Sequence, residues 1–221
     1  MYWVDGVRSP KLIFFDCDST LSAIEGIDEL ARLRGAEVLA QVAALTNDAM
    51  DGRVPVEAIF RRRLEIIRPT RANVATVGRL YVERVEPTAR TTVAALRATG
   101  WTPVIVSGGF SPIIAPLAEF LGIERVEAVD LFFDATGAYA GFDENSPMTQ
   151  SGGKPRCVAA IKRELSPGRT ALVGDGVSDL EAMGAVDDFI GFGGFVERPK
   201  VKANAHTFVR RLDEILLHLN Q

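Results

Sequence analysis

Asp16 and Asp18 stand two residues apart in Asp16-Cys17-Asp18-Ser19-Thr20, directly after the apolar run Lys11–Phe15. At the end of a buried strand, this spacing turns both carboxylates toward one crevice. Two such groups repel unless a cation joins them or one keeps a proton. Either outcome suits phosphoryl transfer. A lone Asp-x-Asp serves equally well as a turn or helix cap, so the reading depends on what else the chain supplies.

It supplies three further elements. Ser107-Gly108-Gly109 offers a hydroxyl and main-chain N–H groups unobstructed by side chains, a nest for phosphate oxygens. Gly152-Gly153-Lys154 places an ammonium at a helix start, where the helix dipole disfavours it unless an anion is near. Gly174-Asp175-Gly176-Val177-Ser178-Asp179 adds two more carboxylates among glycines that let the backbone approach a ligand. Ser178 followed by Glu181 also reads as a capping box for the next helix.

The elements that must position these groups alternate. Apolar stretches at 11–15, 102–106, 170–173 and 188–190 read as parallel strands covered on both faces, and each stops at Asp, Ser or Gly. Helical periodicity fills 88–98, 111–121 and 154–165 between them. Strand and helix in alternation imply an α/β protein with a doubly wound, Rossmann-like, mostly parallel sheet, whose ligands bind beyond the carboxyl ends of the strands. Residues 22–86 interrupt the alternation with helical patterns at 27–33, 36–45, 56–67 and 72–85. They are expected to form a helical cap inserted into a core of residues 1–21 and 87–221. Residues 131–142, with aromatics around Asp134-Ala135-Thr136-Gly137, read as a β-hairpin.

Composition narrows the partners. A net charge of -4 over 221 residues gives no field for nucleic acid or an anionic membrane, so the expected partner is a small metabolite. The first ten residues hold no apolar run of signal-peptide length and no later stretch is apolar enough to span a bilayer, so a cytoplasmic location is expected. Cys17 and Cys157 are too few for a disulfide framework and read as reduced thiols. His206 and His218 lack zinc spacing.

In the 56–67 pattern, Arg63 has Ile59, Phe60, Ile66 and Ile67 as its helical neighbours and no acid at those spacings, whereas Arg61 and Arg62 can pair with Glu57 or Glu65. A permanent cation in an apolar stripe needs an anion, for which a substrate carboxylate would serve. The alternative is a stem that packs while the guanidinium reaches water.

Taken in order, Asp16-Cys17-Asp18-Ser19-Thr20-Leu21, Ser107-Gly108-Gly109, Lys154 and Gly174 through Asp179 resemble the four motifs of haloacid dehalogenase superfamily phosphatases. Glu25-Gly26-Ile27-Asp28-Glu29-Leu30, Ala49-Met50 and Val54-Pro55 are similar to segments of the phosphoserine phosphatases within that superfamily, and Arg63 falls in register with their carboxylate-binding arginine.

The resemblance implies a magnesium-dependent phosphomonoester hydrolase. Asp16 would be the nucleophile that forms an aspartyl phosphate, and Asp18 would protonate the leaving alkoxide and later deprotonate water. Mg2+ would be held by Asp16, the main-chain carbonyl of Asp18 and Asp175. Ser107, Gly108 and Lys154 would hold the phosphate oxygens. Asp179 would orient the metal site or Lys154, with Thr20 in support. Glu25 would take the substrate ammonium and Arg63 its carboxylate, with Met50 and Ser178 completing the pocket, so L-phosphoserine is the expected substrate. Asp51 and Val56 depart from the glycine and bulky aromatic expected there, which leaves phosphothreonine or an amino alcohol phosphate open. Transfer to an alcohol acceptor and a phosphorylated receiver module are the other readings.

Overall fold

The computed structural model describes residues 3–4, 7–50, 54 and 56–219, with side chains described for 9–46, 54 and 57–219. A short antiparallel pair, Trp3–Val4 (β1) and Val7–Arg8 (β2), precedes the first core strand, Lys11–Phe15 (β3). Four helices follow: Gly26–Arg32 (α1), Ala36–Met50 (α2), Val56–Ile67 (α3) and Arg71–Glu83 (α4). Strand and helix then alternate through Ala89–Ala98 (α5), Trp101–Phe110 (β4), Ser111–Leu121 (α6) and Arg125–Val129 (β5). The hairpin Leu131–Phe133 (β6) and Tyr139–Phe142 (β7) leads to Gly153–Leu165 (α7) and Arg169–Gly174 (β8). Val177–Glu181 (α8), Asp188–Phe192 (β9), Pro199–Asn204 (α9), Thr207–Val209 (β10) and Ile215–Leu219 (α10) complete the chain.

Six strands form one parallel sheet in the order β10-β9-β8-β3-β4-β5. Leu12, Ile13, Phe14 and Phe15 of β3 are fully buried, as a strand covered on both faces requires. Each such side chain contributes about 1.5–3 kcal/mol of burial. The chain builds from β3 outward through β4 and β5, then returns to the other side of β3 for β8, β9 and β10. The order therefore reverses at β3 and β8, and such a reversal opens a crevice beyond the strand ends.

The strand-end motifs lie there, with one difference from the expected boundary. Extended backbone continues through Ser107-Gly108-Gly109 to Phe110, and only the pairing of β4 with β5 slips between Val106 and Phe110. The glycines leave the ladder without ending the strand. Strands β5 and β10, an edge strand and a three-residue strand, carried too little pattern to be anticipated.

The four helices enter and leave the core side by side. Glu86 N–H donates to Leu21 O and Ala23 N–H to Arg84 O, both at 2.9 Å, and Ser22 bridges Val85 antiparallel. Helix α4 is started by Thr70, whose Oγ1 accepts from Asn73 N–H while Asn73 Oδ1 accepts from Thr70 N–H, a reciprocal cap worth about 1 kcal/mol. Helix α3 is seated by Phe60, whose ring lies 5.9 Å from that of Phe110 and 5.2 Å from that of Phe142. The expected pairing within α3 is corrected here: Arg61 joins Glu144 beside the hairpin, and Glu57 Oε1 accepts from Ser151 N–H at 2.9 Å. Arg61 and Glu57 are both drawn to groups outside the helix. Among the described residues, no helix is long and apolar enough to cross a membrane.

Candidate active site

Sheet register brings the motifs to one level. Phe15 pairs with Ile105 on one side and Val173 on the other, and Asp16 N–H donates to Val173 O at 2.9 Å. Asp16 and Asp175 thus leave β3 and β8 at nearly the same height as Ser107 in β4. Lys154 joins them from the first turn of α7, buried, with its ammonium 3.0 Å from Asp16 Oδ1 and 2.5 Å from Asp179 Oδ1. The dipole penalty of a lysine at a helix start is offset by these two anions. Asp179 fits because position 174 is glycine: a Cβ there would meet the Asp179 carboxyl carbon at 2.2 Å.

The start of α8 differs from expectation. Gly176 is the N-cap, and Asp179 Oδ2 accepts from its N–H at 2.8 Å. Ser178, already inside the helix, caps nothing and lines the cavity instead. The turn begins two residues earlier than predicted because the carboxylate at position 179 reaches back to the glycine.

Asp16, Asp175 and Asp179 offer carboxylate oxygens within 4.8 Å of one another. Burial and then the Asp16 charge push Asp175 up to about 7, with Arg198, 3.1 Å from Asp175 Oδ2, pulling the other way. The same two causes raise Asp179. Burial pulls Lys154 down, but Asp16 and Asp179 outweigh it and hold the ammonium charged. Crowded, all-oxygen donors of excess negative charge suit a hard divalent cation. Thr20 Oγ1 donates to Asp175 Oδ1 at 3.1 Å and fixes that carboxylate from behind. Asp18 adds no carboxylate oxygen to this cluster.

Instead, Asp18 Oδ1 accepts from the Tyr81 hydroxyl, and Oδ2 faces Gly26 N–H at 3.3 Å. Burial, then the charge of Glu25, raise Asp18 well above the usual carboxylate range. Glu25, just before α1, is also raised by burial, and its Oε1 accepts from Ser19 Oγ at 2.6 Å. Ser19 has φ of 54°, a left-handed conformation costly for a residue with a Cβ.

Asp16, Asp18, Glu25 and Lys154 line one cavity of about 190 Å³, below the range of drug-sized pockets and suited to a small metabolite. Asp16, Asp18, Ser107, Gly108 and Lys154 line it from the sheet and α7, and Glu25, Ile27, Phe60 and Arg63 from α1 and α3. Arg63 Nη1 donates to Thr46 Oγ1 at 3.2 Å, while its buried Nε has no hydrogen-bond partner among the described residues. Burial lowers its proton affinity against the pull of Asp28 and Glu25. Met50 and Val56 have backbone within α2 and α3, but their side chains, and all of Asp51, lie outside the described residues.

The profile of the haloacid dehalogenase-like hydrolases matches residues 13–184. The chain belongs to that family. This hydrolase is 37% identical to the phosphoserine phosphatase of Drosophila melanogaster over 95% of its own length and 78% of that protein's. It is 37% identical to the phosphoserine phosphatase of Homo sapiens, over 96% and 95%. Among solved structures it resembles a phospho-aspartyl intermediate analogue of phosphoserine phosphatase, with a TM-score of 0.80 and 28% identity over 96% of this chain and 99% of that one.

Within this hydrolase, three contacts had no local signal in the sequence: Tyr81 on Asp18, Arg198 on Asp175 and Thr46 on Arg63. Each partner arrives from a distant segment, so no spacing announces it.

Proposed function

We propose that this hydrolase removes phosphate from O-phospho-L-serine through a phosphoaspartate on Asp16. The observation that carries the reading is that one small cavity is lined by Asp16, Ser107, Gly108 and Lys154 together with Glu25 and Arg63. A substrate that fits must carry a phosphate, an ammonium and a carboxylate together. Relatives named phosphoserine phosphatase, aligned over nearly the whole chain, support this choice.

In this reading Asp16 attacks phosphorus, since a carboxylate is already ionised at neutral pH. Lys154, Ser107 and the Gly108 N–H stabilise the phosphoryl oxygens. Asp18 gives its proton to the leaving serine oxygen and afterwards takes one from the attacking water. Glu25 receives the substrate ammonium, and Arg63 spends its free Nε on the carboxylate. Mg2+ is the cation we assign to Asp16, Asp175, Asp179 and the Asp18 carbonyl, where it would offset negative charge and polarise a phosphate oxygen. Residues 22–86 act as the cap, a division supported by the paired linkers at Leu21–Ala23 and Arg84–Glu86.

Phosphate release from phosphoserine, phosphothreonine and phosphoethanolamine, with and without magnesium, tests this assignment. Phosphoserine is expected to be the best substrate and magnesium to be required; little release from phosphoserine under both conditions would overturn it.

A further inference from the structure

Resting on the reaction assigned above, we propose that Tyr81 is a positioning residue that fixes which oxygen of Asp18 faces the leaving group. Tyr81 is fully buried on α4, yet its hydroxyl reaches across to Asp18 Oδ1. The other oxygen, Oδ2, lies toward the phosphate cradle: a Cβ on Gly109 would sit 3.4 Å from it. Tyr81 holds Oδ1, whereas Oδ2, which also accepts from the Gly26 N–H, is the oxygen on the cradle side.

The tyrosine sits beside the linkers that join the insertion to the core. Its own carbonyl accepts from Ser22 Oγ at 3.3 Å, and the linker pair Ala23–Arg84 begins three residues further along. The other side of the contact is closed by α1. Gly26 presents its N–H to Asp18 Oδ2 at 3.3 Å, and a Cβ there would come within 2.5 Å of the Tyr81 hydroxyl oxygen. Glycine at 26 and tyrosine at 81 are therefore matched: one leaves the space that the other fills. The carboxyl is clamped between the first and last helices of the insertion, at its base.

A carboxyl free to rotate would still accept protons but would present them at the wrong place, which costs rate while leaving binding alone. Tyr81→Phe removes the hydroxyl and keeps the ring. On phosphoserine we expect kcat to fall roughly 10- to 100-fold with KM within about twofold. The pre-steady-state burst of nitrophenol from p-nitrophenyl phosphate, whose leaving group needs no proton, should keep its rate. Gly26→Ala, which presses on the same hydroxyl, should reproduce the pattern and serves if the phenylalanine variant does not fold. An unchanged kcat, a rise in KM alone, or an equal loss in both leaving groups overturns the assignment to Tyr81 while wild-type turnover upholds the reaction. Wild-type protein inactive on both substrates overturns both.

Discussion

The Lys154 ammonium lies 3.0 Å from Asp16 Oδ1 and 2.5 Å from Asp179 Oδ1, so one buried cation joins two carboxylates of the acidic cluster. Replacing it exposes two functions at once. Lys154→Met should cut turnover at least about 100-fold, because a phosphoryl-stabilising charge is gone. It should also destabilise the fold by roughly 1–3 kcal/mol, since the buried Asp179 carboxyl loses a hydrogen-bond donor. Phosphate release and denaturant unfolding measure the two losses separately.

Arg63→Ala should act on binding. Losing charged hydrogen bonds to a carboxylate costs about 1.5–3 kcal/mol, a rise in KM for phosphoserine of roughly 10- to 100-fold. Phosphoethanolamine, which has no carboxylate, should be hydrolysed no worse than before. Steady-state kinetics on both substrates check the contrast.

The acidic cluster makes stability depend on pH and metal. Asp175 is raised from an ordinary 3.8 to about 7, so the folded protein keeps a proton that the unfolded chain releases. Its contribution is complete below about pH 4 and is lost as pH climbs through about 7. Asp179, also raised, acts in the same direction. Melting in the presence of a chelator should drop by roughly 4 °C or more between pH 5 and pH 8. Adding magnesium should close most of that gap, because a cation replaces the lost protons. Thermal melts at both pH values, with and without metal, check it.

Much of this site was legible from sequence because its groups sit at strand ends, where an apolar run stops on a polar or glycine residue. Asp16 and Asp175 are of this kind, Ser107 ends its apolar run though β4 continues past it, and the parallel pairing of β3 with β4 and β8 brings the three together. Lys154 was marked by its awkward place at a helix start, which the two carboxylates explain. The helix cap at Ser178 was misread because a glycine N-cap gives no side-chain signal. Tyr81 falls inside the helical pattern at 72–85, where no motif marks it. Its contact with Asp18 spans 63 residues and arises only when the insertion folds back on its own entry point. Arg61 followed the same logic, since its partner Glu144 lies beyond the reach of any helical spacing rule.

The central claim is that Asp16 carries the phosphoryl group between two half-reactions. Rapid acid quenching of the enzyme during turnover of phosphoserine, followed by peptide mass analysis, measures this directly. The account predicts one phosphoryl increment on the peptide containing Asp16, absent from Asp16→Asn, which should also lose turnover. Full metal-dependent turnover by Asp16→Asn, or a phosphoryl group found on another residue, would contradict it.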